Sequence, residues 1–423
     1  MDFVSVITTL VWVLTIIVGI HTVYFTVVAL FFLKKAPKYE QYEPKNRFAA
    51  IIAARNEEDV IGNLVESLKL QNYPADLLDI IVIPNNCTDH TKEVAQKAGA
   101  TVIECPHRVK SKGEVLSFIF DHIFSENDVY DAFCVFDADN VVHPDFMREM
   151  NNVLCSGIKI AQGYRDSKNP SDSFISSCYS IYYWAVNRFY NHARSALGMS
   201  AMVNGSGFMV SADVIKSMGG WHTVTMTEDI EFTTQCALRG YKIGWASEAI
   251  IYDEQPLTFM QSWKQRKRWS TGVIQGMETY TGKLLKAGFK NKNVCCFDMV
   301  LFYLSPIMQV LFFLLVILAM WLNITYILFY LFPFVRLGMF QRIFLAFNLS
   351  YIFAAAMSCI VVMLAHKKVS GMTKGVFTFW IFIFSWIPIN IICLFKRQKT
   401  WEEIKHSSDV KITDVTEVTQ IKA

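Results

Sequence analysis

Two long apolar stretches bracket a charged middle in this chain, and that arrangement limits its fold more than any other feature. Residues 3–33 hold one histidine and no other ionisable group, residues 299–395 carry almost no acids, and most of the charge lies in 36–298. A helix needs roughly 20 apolar residues to cross the hydrocarbon core, so both brackets can supply spans while the middle must fold in water. The first stretch runs into Lys34-Lys35-Ala36-Pro37-Lys38. Lysines that follow a span place its C-terminal end, and the middle with it, in the cytoplasm. The basic start, shorter apolar core and small-residue cleavage site of a signal peptide are missing, so we expect this span to be retained.

The C-terminal block divides less cleanly. Segments 299–320, 340–365 and 376–395 are each long enough to span, while 321–338 is apolar but interrupted by Pro333 and Arg336. Counting the interrupted segment returns Lys396-Arg397-Gln398-Lys399 to the cytoplasm and sends His366-Lys367-Lys368 outside; omitting it reverses both. We expect five spans, because the last basic cluster is denser and leads into a polar tail. The expected organisation is a transmembrane helix over 1–35, a cytoplasmic domain with interfacial helices over 36–298, three or four membrane helices over 299–395, and a cytoplasmic tail over 396–423.

Composition supports a membrane protein: 53% of residues are hydrophobic and only 18% charged, too few charges for a soluble surface. Membrane lipids are therefore expected partners. Forty Lys and Arg against thirty-seven Asp and Glu leave +3, no surplus for a nucleic-acid ligand. Ten cysteines without C-x-x-C spacing, including the adjacent Cys295 and Cys296, fit a reducing compartment better than a disulfide framework or a zinc site.

The middle region opens as an alternation of short apolar runs and amphipathic stretches. Runs at 48–53, 80–83, 100–104 and 132–136 alternate with helical patterns at 60–70 and 91–98. This predicts an α/β domain with a parallel sheet whose binding crevice lies at the carboxyl ends of the strands, and the polar clusters sit there. No G-x-x-x-x-G-K-[ST] or G-x-G-x-x-G phosphate loop occurs.

Three of the clusters carry chemistry. Asp137-Ala138-Asp139 ends an apolar strand, where two carboxylates can converge on a hard divalent cation together with nucleotide phosphates; a solvated turn is the ordinary alternative. Thr227-Glu228-Asp229 precedes a helical stretch, so Thr227 is a natural N-cap with acids at the positive end of the dipole, or Asp229 is a general base that deprotonates an attacking hydroxyl. Gln265-Arg266-Lys267-Arg268-Trp269 stands before a membrane block. It can bind anionic headgroups, or Arg268 can steady a departing diphosphate while Trp269 offers a face to a sugar ring.

In this order and spacing, Asp137-x-Asp139, Thr227-Glu228-Asp229 and Gln265-x-x-Arg268-Trp269 resemble the membrane-embedded family 2 glycosyltransferases, the group of the cellulose, chitin, hyaluronan and poly-N-acetylglucosamine synthases, over roughly residues 46–275. The resemblance implies a cytoplasmic, Rossmann-like GT-A domain flanked by transmembrane helices in a bacterial cell membrane. It also implies a nucleotide-sugar donor, commonly a UDP-sugar, with Mg2+ or Mn2+, inversion at the anomeric centre, and a growing glycan passed across the membrane. A single transfer to a membrane lipid is the alternative outcome; accessory export or modifying proteins are conceivable partners. A nucleotide-binding transporter or sensor is the competing class, but its spans should carry mid-membrane ionisable groups.

Carried over, Asp139 with Asp137 would hold the metal, Asp229 beside Glu228 would be the base, and Arg268, Gln265 and Trp269 would hold the diphosphate and the acceptor end. Lys112, before Gly113, would lie at the nucleotide and Glu57 near the uridine. Gly205, in Asn204-Gly205-Ser206-Gly207, would let a sugar approach the backbone. One departure stands out. The second strand is followed by Asn85 and Asn86 where the family has an acidic pair, and the Asn85 carboxamide can accept from the uracil N3–H and donate to O4. Tyr179, Tyr182, Tyr183, Trp184 and Tyr190 are expected to pack in the core or at an interface rather than line a sugar path.

Overall fold

The computed structural model describes residues 3–126, 129–321, 339–396, 398 and 410–414. Eight strands form one sheet in the order β3-β2-β1-β4-β7-β6-β8-β5, with β1 Phe48–Ala54, β2 Leu78–Pro84, β3 Thr101–Val102, β4 Ala132–Asp137, β5 Val141–Val142, β6 Ile160–Ser167, β7 Phe208–Ser211 and β8 Ile243–Asp253. Along β1, Phe48, Ala50, Ile52 and Ala54 belong to one core layer and Ala49 and Ile51 to the other. That is the period-two pattern of a strand buried on both faces. Helices Ile61–Lys69 and Phe146–Cys155 cover one face; Lys112–Glu126 and Ala212–Met218 cover the other.

The parallel sheet expected from the alternation holds for β3, β2, β1 and β4 and stops there. Strand β7 runs antiparallel to both β4 and β6, and β5 runs antiparallel to β8. The four-residue β7 and two-residue β5 are too short to leave a periodic signal. Because β6 is reversed twice relative to β4, it runs in the same direction as β4, and β8 pairs parallel with it. The carboxyl ends of β1, β2, β4, β6 and β8 and the entry to β7 therefore share one edge. Register makes this tight: Ala54 pairs with Pro84, and Ala53 with Asp137.

Among the described residues, four helical stretches are long and apolar enough to cross a membrane: Phe3–Leu33, Val294–Ala319, Ile343–Leu364 and Val369–Phe395. Helix Val294–Trp321 begins before the apolar block, because its first turns pack on the domain: Cys296, Met299 and Tyr303 are buried there. Asp298 binds Arg194 at 2.8 Å and Tyr24 of the first helix at 2.8 Å. The interrupted segment 321–338 lies, apart from Trp321, outside the described residues.

The last apolar stretch is not one helix. It divides at Ser385 into Thr373–Phe384 and Trp386–Phe395. Both of its ends lie against the domain. Before it, Lys367 Nζ donates to Asp166 Oδ2 of β6 at 2.8 Å. At its far end, Cys393 reaches the Lys267 carbonyl at 3.5 Å, and further along Ile412 is buried on Val141 and Tyr252 at the sheet edge. At ~1.5 Å per residue each half alone is shorter than the ~30 Å of a hydrocarbon core, while the whole kinked stretch, with Ser385 in right-handed helical conformation, is long enough to cross one.

Candidate active site

The eleven candidate site residues line one cavity of about 640 Å3 at the shared edge of the sheet: Glu57, Asn85, Lys112, Asp137, Asp139, Gly205, Glu228, Asp229, Gln265, Arg268 and Trp269. The cavity continues past them to Phe302, Ser305, Pro306, Gln309 and Phe312 of helix Val294–Trp321 and to Ile383–Asn390 of the divided stretch. It thus joins the sheet domain to the apolar helices.

Asp137 is the last residue of β4, and its backbone N–H donates to Ser206 Oγ at 2.9 Å. Asn140 closes the turn: its N–H donates to the Asp137 carbonyl at 3.1 Å, its amide nitrogen to Asp253 Oδ1 at 2.9 Å, and its oxygen accepts from the Ser206 hydroxyl. Lys112, the first residue of helix Lys112–Glu126, reaches across the cavity to Asp137 Oδ1 at 2.5 Å and to the Gly205 carbonyl at 2.7 Å. Burial alone would lift the Asp137 carboxyl. Lys112, Arg165 and Arg268 outweigh it and hold the group below the usual carboxylate range. For Lys112 burial opposes the charge, but Asp137, Glu228 and Asp229 raise it on balance.

Asp229 is treated in the opposite way by its surroundings. It is the second residue of helix Glu228–Arg239, its Oδ1 accepting from the Ile230 N–H at 2.9 Å. Burial, then the neighbouring Glu228 charge, push its carboxyl up to about 7 against the pull of Lys112 and Arg268. Thr227 does occupy the N-cap position, but its side chain makes no cap bond. Gly205 separates the two acids. It has φ +93°, and a Cβ built on it would stand 3.6 Å from Asp229 Oδ2 and 3.9 Å from Asp137 Oδ2. The two carboxylates therefore face the same small space, which any side chain at 205 would fill.

The third cluster sits on the 33-residue helix Phe259–Asn291. A reciprocal capping box starts it, Thr258 accepting from the Gln261 N–H and the Gln261 side chain accepting from the Thr258 N–H. Gln265, Arg268 and Trp269 stand at i, i+3 and i+4, one face of the helix, and Gln265 Oε1 is buried without a hydrogen-bond partner among the described residues. Trp269 stacks at 24° on Tyr182 and at 26° on Trp386. Of the aromatic residues weighed from the sequence, Tyr179, Tyr183 and Trp184 are core, Tyr182 packs against the same cluster as Tyr179 and Tyr183, and Tyr190 packs on Phe302. The packing expectation holds for all five, and Tyr182 and Tyr183 line the cavity as well.

Asn85 lines the cavity with part of its amide already engaged: Nδ2 donates to the Ala54 carbonyl at 2.9 Å, and Oδ1 accepts from Arg55 Nε at 3.2 Å. One amide hydrogen and one lone pair remain for a base. Asp89 stays out of the cavity and caps the next helix, accepting from the Thr91 N–H at 3.1 Å and the Glu58 N–H at 3.1 Å.

Sequence reasoning missed Arg165, Asp253, Trp386 and Asn390. Arg165 is buried against Asp253, Nε to Oδ2 at 2.9 Å, and donates to the Asn204 carbonyl at 2.6 Å. Asp253 ends β8 as Asp137 ends β4, so the rule that flagged the first acid would have found the second. Arg165, the one basic residue of β6 and not at its end, carried no such signal. Asn390 accepts from Ser270 at 2.7 Å and donates to Gln309 at 2.9 Å, a contact between distant segments that no local pattern announces.

A mixed sheet covered by helices on both faces, with a cavity at the carboxyl ends of its strands, is a GT-A-like domain. The fold agrees with a mannosyltransferase from Pyrobaculum calidifontis solved with GDP-Man and Mn2+, at TM-score 0.57 over 93% of this chain and 100% of that one, with 15% identity. The chain belongs to glycosyltransferase-like family 2, whose model matches residues 44–272. A probable glycosyltransferase, YdaM, of Bacillus subtilis is 26% identical over 286 residues, 65% of this chain and 66% of that protein. A beta-monoglucosyldiacylglycerol synthase of Synechocystis is 25% identical over 235 residues, 55% and 49% of the two chains. A poly-beta-1,6-N-acetyl-D-glucosamine synthase of Staphylococcus aureus is 24% identical over 307 residues, 71% of each. The chain spans between about half and two thirds of the Synechocystis and Bacillus relatives.

Proposed function

We propose that this protein transfers a sugar from a nucleotide donor, a UDP-sugar in the first instance, to an acceptor hydroxyl at the membrane surface, with inversion. The observation that carries the reading is Asp229, a half-buried carboxylate lifted to about 7 that faces Asp137 across Gly205 in a cavity continuing between apolar helices. A base whose pKa lies near the working pH is well matched to removing a hydroxyl proton.

In this mechanism the acceptor oxygen attacks the anomeric carbon opposite the nucleoside diphosphate while Asp229 takes its proton. Lys112 and Arg268 offer positive charge to the departing diphosphate. Trp269, Tyr182 and Trp386 give the acceptor ring a flat wall. A single displacement turns an α-linked donor into a β-linkage. Asp137 and Asp139 would hold Mg2+ or Mn2+: two carboxylates suit a hard cation that completes its shell with phosphate oxygens, and the described residues contain no cluster of three or more such ligands. When bound, the ion would neutralise charge on the leaving phosphates.

The acceptor is read first as a growing β-linked glycan that the enzyme passes across the membrane. A second reading, transfer to a membrane lipid, is favoured by Phe312 and Phe384, which line the cavity yet are 50% and 37% exposed on the apolar side, so the cavity opens sideways where lipid would lie. Detergent-purified protein supplied with UDP-glucose, UDP-N-acetylglucosamine or GDP-mannose and a divalent ion tests both. Release of the nucleoside diphosphate from one donor supports transfer, and product size separates a glycan ladder from a singly glycosylated lipid. No release from any donor, by protein that binds the nucleotides, would argue for the sensor class instead.

A further inference from the structure

Arg266 belongs to the same basic run as Arg268 but points away from the cavity. It is fully buried, and no acid pairs with it among the described residues. Its Nη1 donates to the Phe382 carbonyl at 2.8 Å and to Ser385 Oγ at 2.6 Å, and the Ser385 hydroxyl itself donates to the Phe382 carbonyl at 2.7 Å. The guanidinium lies 4.4 Å from the Phe382 ring centre and 5.5 Å from that of Trp386.

These partners explain how a cation persists there. Phe382 and Ser385 are the C-terminal end of helix Thr373–Phe384, where unpaired carbonyls and the negative end of the dipole favour positive charge, and the aromatic faces add cation–π attraction. Pro388, which cannot donate to the Phe384 carbonyl, interrupts the helix there, and the same contacts hold the break against helix Phe259–Asn291. Trp386 follows Ser385 directly, lines the cavity and stacks on Trp269. Helix Phe259–Asn291 thus presents Gln265, Arg268 and Trp269 to the cavity while Arg266 and Ser270 hold the divided stretch.

We propose that Arg266 is a positioning residue for the acceptor: by holding the break at Ser385 it sets Trp386 against Trp269 and so shapes the membrane-side wall of the cavity. The proposal rests on the transfer reading above, and its test includes a measurement that does not need turnover. Cys393 is buried in the second half of the stretch and Cys134 in the centre of the sheet. N-ethylmaleimide labelling, mapped by mass spectrometry, therefore reports docking of the stretch and integrity of the domain separately.

In Arg266→Ala we expect Cys393 to label about ten-fold faster with Cys134 still protected, and the KM for acceptor to rise about ten-fold, as for one lost charge-assisted hydrogen bond. The acceptor is diacylglycerol or a chito-oligosaccharide, whichever is turned over. Donor hydrolysis by water and donor KM stay unchanged, and Arg266→Lys recovers part of both effects. Unchanged Cys393 labelling together with an unchanged acceptor KM overturns the proposal. If Arg266→Ala exposes Cys134, Ser385→Ala decides in the same way by the same two readouts. If the wild type turns over no acceptor, the transfer reading fails while labelling still tests the anchoring.

Discussion

At Asp229, burial and the Glu228 charge act together, whereas at Asp137 burial is overcome by Lys112, Arg165 and Arg268. Two acids facing one space are thereby given different protonation behaviour, which is how one site separates a base from an anion-holding group. A base must be ionised to accept a proton, so kcat/KM should fall about ten-fold per pH unit below about 7 and level off above it. A pH–rate profile of the wild type, and the loss of that limb in Asp229→Asn, check this. Gly205→Ala should lower kcat/KM on the order of a hundred-fold while the protein still folds, since a methyl group would enter the space between the carboxylates at a positive φ; steady-state kinetics with a thermal melt would separate the two. The acids, Lys112 and the Gln265-x-x-Arg268-Trp269 face were legible because each stands at a strand end or at helical spacing. Arg165 and Asn390 were not, since the side chains they pair with, Asp253 and Gln309, lie 88 and 81 residues away in the chain.

Helix Phe259–Asn291 works as a two-sided element, and glycines let its neighbours approach. A Cβ at Gly276 would collide with the Tyr303 ring, and one at Gly272 with Thr227. Gly276→Val should therefore destabilise the helix against Val294–Trp321 by about 1–3 kcal/mol, as overpacking does, seen as a lower Tm in detergent with no change in nucleotide affinity. The strands β1, β2 and β4 were readable from apolar runs ended by polar clusters. The antiparallel β7 was not, because four buried residues show no period, and direction is set by the partners it meets in three dimensions.

For the whole molecule, the conflict between the two basic clusters dissolves if the last apolar stretch, kinked at Ser385, lies along the domain instead of crossing. Lys367 and Ile412 both contact the sheet domain, so His366-Lys367-Lys368 and Lys396 can lie on one side of the membrane, as the positive-inside rule prefers. Length and composition make 376–395 a candidate crossing, with Pro388 and the Arg266 contacts at a break inside it. Cysteines introduced at Ser370 and Lys396, in membranes of known orientation, should both be labelled by an impermeant maleimide from the domain side only; labelling of the two from opposite sides would restore a crossing.

The central claim is that segments more than a hundred residues apart act together on one donor. Titrating the donor nucleotide into wild type, Asp137→Asn and Asp229→Asn while measuring turnover tests it most directly. Asp229→Asn should bind nucleotide with near-wild-type Kd yet lose about 10^2–10^4 in kcat, while Asp137→Asn should lose nucleotide affinity in the presence of the divalent ion. Full turnover by Asp229→Asn, or unchanged affinity in Asp137→Asn, would contradict it.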